Sequence, residues 1–189
     1  MKQYFIILGS VFVLLSNFAA SGQKKITNET DEQKRQRMAW WTNDRFGMFI
    51  HWGLYALPAR HEWVKNRERL TNEQYQVYFD QFNPDLYNPV LWAKQAKEAG
   101  MKYAVLTSKH HEGFCLFDSK YTDYKATKTQ VKRDLVKEFV EAFRAEGLKV
   151  GFYYSLIDWH HPDFTIDRVH PQRFDNGSQA AYDSANKNR

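Results

Sequence analysis

The residues best suited to chemistry in this chain are histidines, seven in all. His51 closes the apolar run of RFGMFIHWG, His110 and His111 form a doublet in SKHHEGF, and His160 and His161 repeat the doublet behind Asp158 and Trp159. A histidine that ends an apolar strand is more often a satisfied structural residue than a catalytic one, so His51 alone specifies nothing. Strand alternation would send adjacent His110 and His111 to opposite faces unless the strand ends before them. Glu112 and Gly113 follow at once and favour a loop that presents both rings to a ligand. One core and one surface histidine fit the spacing equally well. The doublets lack the H-x-x-x-H spacing and the cysteine partners of zinc sites, and no metal ligands are assigned.

The aromatics add a second signal. Trp40, Trp41, Trp52, Trp63 and Trp159 are expected near strand ends or loops, whereas Trp92 reads as core filler on a helix. Aromatic faces beside His, Glu and Tyr hydroxyls suit a sugar, whose C–H face stacks while its hydroxyls take directed hydrogen bonds. Cys115 is the only cysteine; no disulfide can form within the chain, and GFCLFD reads as a buried apolar stretch.

Elements must position these residues. Phe46 to Ile50, Tyr103 to Leu106 and Val150 to Tyr153 are near-continuous apolar runs, as in parallel strands buried on both faces. Helices are expected between them: LWAKQAKEA beginning at Pro89 and ended by Gly100, LVKEFVEAFRAE capped by Asp134 and ended by Gly147, and a weaker one around Asn72 to Gln81. The junctions KEAGMKYAVL and RAEGLKVGFY repeat one helix-to-strand unit. Strand alternating with helix is an α/β pattern with a parallel sheet. No G-x-G-x-x-G turn follows the first strand, so a (β/α)8-like TIM barrel is favoured over a doubly wound sheet. Each strand delivers polar groups at its carboxyl end: His51 and Trp52, then Lys109, His110, His111 and Glu112, then Tyr153, Tyr154 and Ser155. Only about three of eight strands are found, so the chain reads as the N-terminal part of a barrel, truncated after the third. The tail after His161 reads as polar loop with a short helix at its end.

Composition bounds the rest. With 43% hydrophobic, 16% aromatic and 26% charged residues the chain is a globular domain, not a disordered one. Its net charge of +5 is interspersed, which argues against a nucleic-acid partner. Residues 1–22 read as a signal peptide, with Lys2, an apolar run from Tyr4 to Leu15 and a small-residue exit. That run is too short for stable membrane insertion. Its removal takes away one Lys and lowers the charge from +5 to +4. Export to a periplasmic, extracellular or lysosomal destination follows as an expectation. Residues 23–39 read as a polar lead-in and 40–189 as the catalytic part. Asn28 and Asn176 begin glycosylation tripeptides, given no weight here.

Taken together, FGMFIHWGLYALPARHEW, LWAKQAKEAGMKYAVLTSKHHEGF and GFYYSLIDWHHPDF resemble the N-terminal part of the α-L-fucosidases of glycoside hydrolase family 29, from about Trp40 to Phe164. The resemblance implies a retaining exo-glycosidase that removes terminal α-L-fucose from glycans, on a (β/α)8-like domain followed by a β-sandwich, with no cofactor or metal. It implies that His51, Glu62, Trp63, His110, His111 and Tyr153 line the fucose pocket, Tyr153 being preferred over Tyr154. The nucleophile Asp and the acid/base Glu are expected beyond Arg189. Retention needs two carboxyls roughly 5–5.5 Å apart; Asp158 does not match the nucleophile motif, and no catalytic residue is assigned here. The alternatives are a non-catalytic fucose-binding relic and a metal-dependent barrel hydrolase.

Overall fold

The computed structural model describes residues 29–174. The signal peptide, Asn28, Asn176 and the helix expected at the end of the chain lie outside them. The chain divides into two compact units, Met1–Ala39 and Trp40–Arg189, and the second carries everything that follows except the start of one helix. That helix, α1 (Asp31–Asn43), takes in the polar lead-in from Asp31 onward, for which no element is expected from sequence. Its start is a capping box, in which Gln33 N–H donates to Thr30 Oγ1 at 3.2 Å and Thr30 N–H donates to Gln33 Oε1 at 2.8 Å. Trp40 and Trp41 therefore sit on a helix, not in a loop.

Three parallel strands, β1 (Gly47–Ile50), β2 (Tyr103–Lys109) and β3 (Lys149–Tyr154), lie side by side in chain order. The long connection between β1 and β2 carries α2 (Val64–Arg67), α3 (Asn72–Asp80) and α4 (Pro89–Glu98); α5 (Leu135–Ala145) joins β2 to β3. The helix starts are chemically explicit. Thr71 and Gln74 form a capping box on α3, Asn88 Oδ1 accepts from Leu91 N–H ahead of Pro89 on α4, and Asp134 accepts from Lys137 N–H on α5. Gly100 and Gly147, at φ +84 and +73°, end α4 and α5 as the repeated junction predicts.

One face of the sheet is packed by α4 and α5. Ala104 and Leu106 of β2 are buried with Ala93 and Ala96 of α4 and with Leu135, Phe139 and Phe143 of α5. The small alanines bring α4 close to the sheet, and the amphipathic stripe of α5 covers the rest. Cys115 is buried as expected, and burial pushes its thiol up to about 11.

β2 runs three residues past its apolar stretch. Its polar end is satisfied in place: Ser108 Oγ donates to the Tyr153 carbonyl at 3.0 Å, and Lys109 Nζ meets Asp158 Oδ2 at 2.8 Å. Here the register also slips. Thr107 pairs with Tyr153 but Lys109 with Tyr154, so two residues of β2 oppose one of β3.

Candidate functional site

The slip in register builds the site. Phe49, Val105, Thr107 and Tyr153 share the face turned away from α4 and α5. Simple alternation from Thr107 would put His110 on the helix-covered face. The extra residue instead pairs Lys109 with Tyr154 outside, the Lys109 ammonium lying 5.0 Å from the Tyr154 ring, and turns His110 to the other side. Its ring centroid is 5.0 Å from that of His51 and 5.9 Å from that of Tyr153. His51, next on the same face after Phe49, is 5.9 Å from Tyr153. β2 ends at Lys109, and His111 is carried in the following turn with its ring 4.3 Å from His110. The doublet thus converges on one site, and the alternative of one core and one surface histidine is set aside.

Each imidazole is held by its Nδ1 atom. Tyr55 Oη, one 3-10 turn after His51, lies 2.9 Å from His51 Nδ1. Glu112 Oε2 lies 3.1 Å from His110 Nδ1, both residues 2% exposed. Ser155 Oγ lies 2.6 Å from His111 Nδ1 and donates to the Ile157 carbonyl at 2.9 Å. A hydroxyl has one proton, already committed to Ile157, so His111 donates from Nδ1. Burial, reinforced by His110 and His51, lowers the His111 pKa to about 4. Burial and then His110 also lower that of His51. His111 is therefore a neutral imidazole whose Nε2 is a hydrogen-bond acceptor, and His51 is held toward its neutral form.

The walls are aromatic. Trp63 meets the His111 ring edge-on at 5.2 Å and Trp159 at 5.4 Å. Trp159 is buried, and its backbone N–H donates to the His111 carbonyl at 2.7 Å. Glu62 is at the exposed rim, 3.4 Å from His61 Nδ1, and its charge acts on His51 and Tyr55. The structure thus gathers His51, His110, His111 and Tyr153, adds Trp63 through His111, and leaves Glu62 at the edge. Tyr154, paired with Lys109, lies on the opposite face from Tyr153.

Asp158 is committed elsewhere. Its Oδ2 meets Lys109, and its Oδ1 accepts from the N–H groups of His160 and His161 at 3.1 and 2.9 Å. Burial raises its pKa, but Lys109 and these N–H groups outweigh that and hold the carboxyl below its ordinary range. It is an anchor for the loop after β3. The second doublet is split off: His160 stacks on Tyr124 at 3.8 Å.

Three positioning residues escaped selection from sequence. Tyr55 stands four residues after His51, a spacing that reads only once the turn between them is known. Ser155 and Glu112 were visible as polar strand-end residues, but nothing in their spacing tied them to particular imidazoles. Among the described residues no three His, Cys, Asp or Glu side chains are grouped to hold a metal ion.

Imidazoles held at Nδ1 and aromatic edges thus gather at the carboxyl ends of parallel strands, an arrangement whose remaining ring nitrogens can hydrogen-bond a ligand's hydroxyls. The comparisons with known proteins identify the family: its profile, α-L-fucosidase, matches residues 13–189, and the chain belongs to that family. Human plasma α-L-fucosidase is 36% identical over 151 residues, covering 70% of this chain and 32% of the relative. α-L-Fucosidase isoenzyme 1 of Paenibacillus thiaminolyticus superposes with a TM-score of 0.74 at 65% identity, covering 76% of this chain and 34% of that one. The glycoside hydrolase family 29 α-L-fucosidase of Bacteroides thetaiotaomicron, solved as a trapped covalent intermediate with 2-fluoro-fucosyl fluoride, gives 0.67 at 38% identity over 81% and 37%. The chain spans about a third of the length of these relatives.

Proposed function

We propose that this chain supplies the fucose-recognising wall of an exo-acting α-L-fucosidase, built as the first three strands of a (β/α)8-like barrel. The observation that carries the reading is the convergence of His51, His110, His111 and Tyr153, through the slip in register between β2 and β3, at the carboxyl ends of adjacent parallel strands. In this reading the Nδ1 atoms are used for positioning, and the Nε2 atoms and the Tyr153 hydroxyl hold sugar hydroxyls. Trp63 offers an aromatic surface, and Glu62 completes the rim. The (β/α)8 architecture is supported by the parallel β-α-β order and by the superposition on fucosidases.

Hydrolysis then proceeds in two displacements. A carboxylate on a later strand attacks the anomeric carbon as the glycosidic C–O bond breaks, and a second carboxyl protonates the leaving oxygen. Water, deprotonated by that second group, then displaces the first carboxylate. The trapped covalent intermediate of the Bacteroides relative supports this order of events. This chain's residues orient the ring; bonds to its hydroxyls accelerate the reaction only as far as they strengthen in the transition state. The substrate is a fucosylated glycan met after export, in keeping with the signal peptide read in residues 1–22.

The test uses the full-length gene product and an aryl α-L-fucoside. Proton NMR during the first turnovers should show α-L-fucose, with the β anomer appearing only by mutarotation. Initial β-fucose would overturn retention, and binding of fucose without turnover would favour the non-catalytic relic.

A further inference from the structure

Lys65, on α2 two residues after Trp63, is buried as completely as Glu112 and His110, each 2% exposed. Its ammonium donates to Asn72 Oδ1 at 2.7 Å and lies 5.2 Å from the centre of the Tyr75 ring. Among the described residues no carboxylate comes within ion-pair distance of it. Glu112 Oε2 meets His110 Nδ1 at 3.1 Å, and Glu112 Oε1 has no hydrogen-bond partner among those residues. Ions buried singly are costly. The other buried lysine, Lys109, is already matched by Asp158 at 2.8 Å. Lys65 and Glu112 are left to each other. Burial lowers the Lys65 pKa to about 8, and Glu112 is the carboxylate that opposes this most, ahead of Asp158 and Glu73. At neutral pH Lys65 therefore remains an ammonium.

A buried carboxylate without a counter-charge takes up a proton. Protonated, Glu112 would donate to His110 Nδ1 instead of accepting from it, and the ring proton would move to Nε2. We propose that Lys65 is a positioning residue of the fucose site: its ammonium keeps Glu112 a carboxylate, Glu112 accepts from His110 Nδ1–H, and His110 Nε2 is thereby an acceptor for a sugar hydroxyl. The proposal rests on the fucoside reading above. The other titratable groups facing His110 are the rings of His51, His111, Tyr55 and Tyr153. Those facing Lys65 are Asp158, Glu73, Tyr75 and His160. The Glu112 charge also acts on Tyr75, Tyr124 and Cys115, which burial keeps protonated. Burial holds His51, His111 and His160 toward their neutral forms, so none of them replaces Lys65 as a cation.

The full-length gene product and its Lys65→Met, Glu112→Gln and Lys65→Met/Glu112→Gln variants would be compared by the pH profile of kcat/KM on an aryl α-L-fucoside and by chemical denaturation. Losing the neighbouring cation raises the pH at which the Glu112–His110 pair gives up its proton. Lys65→Met should therefore move the acid limb of the profile up by about one pH unit, so that kcat/KM on that limb falls about tenfold. Glu112→Gln is itself slower, but in that background Lys65→Met should change kcat/KM less than about twofold and leave the limb in place. In denaturation the double variant should lose less stability than the two single losses added together. Should Lys65→Met alone not fold, recovery of a cooperative melt in the double variant supports the pairing, and its absence overturns it. A limb that stays put in Lys65→Met, equal effects of Lys65→Met in the two backgrounds, or additive losses in denaturation overturn the proposal. Absence of turnover by the wild-type protein would overturn the fucosidase reading instead, while the denaturation cycle still reports whether Lys65 and Glu112 are coupled.

Discussion

Residues 23–189 expressed alone should be poorly folded and prone to aggregate, and the size of the deficit follows from the sheet. β1 and β3 are both edge strands in the three-stranded sheet, and each leaves aromatic surface in water. Phe49, on the same face as Tyr153, is 55% exposed; Phe152 and Tyr154 of β3 are 50% and 51% exposed. An aromatic side chain buries about 150–250 Å². Half of that left wet forgoes about 2–3 kcal/mol per residue at roughly 25 cal/mol per Å². The three rings together forgo ~6–9 kcal/mol, most of the 5–15 kcal/mol that typically separates folded from unfolded chains. Unpaired edge backbone adds a route to association. Sedimentation velocity, dye binding to exposed apolar surface and thermal melting would measure the outcome. The expected result is oligomers, strong dye binding and a broad or absent transition, with no aryl-fucoside turnover. A monomer with one sharp cooperative melt and little dye binding would refute the reasoning. So would a fragment rescued by nothing more than Phe49→Ser, since the deficit is spread over both edges.

Other consequences are more local and concern the full-length protein. Ser155→Ala leaves His111 Nδ1 without its acceptor and should lower kcat/KM on an aryl α-L-fucoside about 3–10-fold, the loss of one hydrogen bond of 0.5–1.5 kcal/mol, with Thr in place of Ala restoring most of it; an unchanged rate would show that His111 is positioned otherwise. Gly113→Ala forces a side chain onto a residue at φ +88° and places its Cβ 2.4 Å from Asp158 Oδ1, so a loss of about 1–3 kcal/mol is expected in chemical denaturation; wild-type stability would contradict it. The His111 pKa is about 4 folded against 6.5 in the ordinary state. Below 6.5 the unfolded chain takes up a proton that the folded one refuses until about 4. The contribution is therefore complete above 6.5 and lost as pH falls through that window; the decline in Tm should be shallower in His111→Gln, and identical slopes would remove His111 as a source.

Local rules were enough for a good part of this protein. The helices begin where Asn88 with Pro89 and Asp134 supply caps, and end where Gly100 and Gly147 release the chain, because capping depends on neighbours within one turn. Apolar runs ending in His51, in Lys109 with His110, and in Tyr153 marked both the parallel strands and the end that bears the site. The capping box at Thr30 and Gln33 is equally local, and it starts a helix within a segment whose composition reads as a polar lead-in. What the sequence could not decide was direction and partnership. Whether His110 faces the site or the helices turns on one extra residue opposite Tyr154, and that register is set by strands 45 residues apart competing for hydrogen bonds. The pairing of His111 with Ser155 and the withdrawal of Asp158 into an ion pair with Lys109 likewise appear only when distant segments are packed together, whereas the pairs His51 with Tyr55 and His110 with Glu112 are close in sequence and depend on the turns between them. Burial then fixes the proton on His111, because an imidazolium removed from water loses solvation that a neutral ring never had.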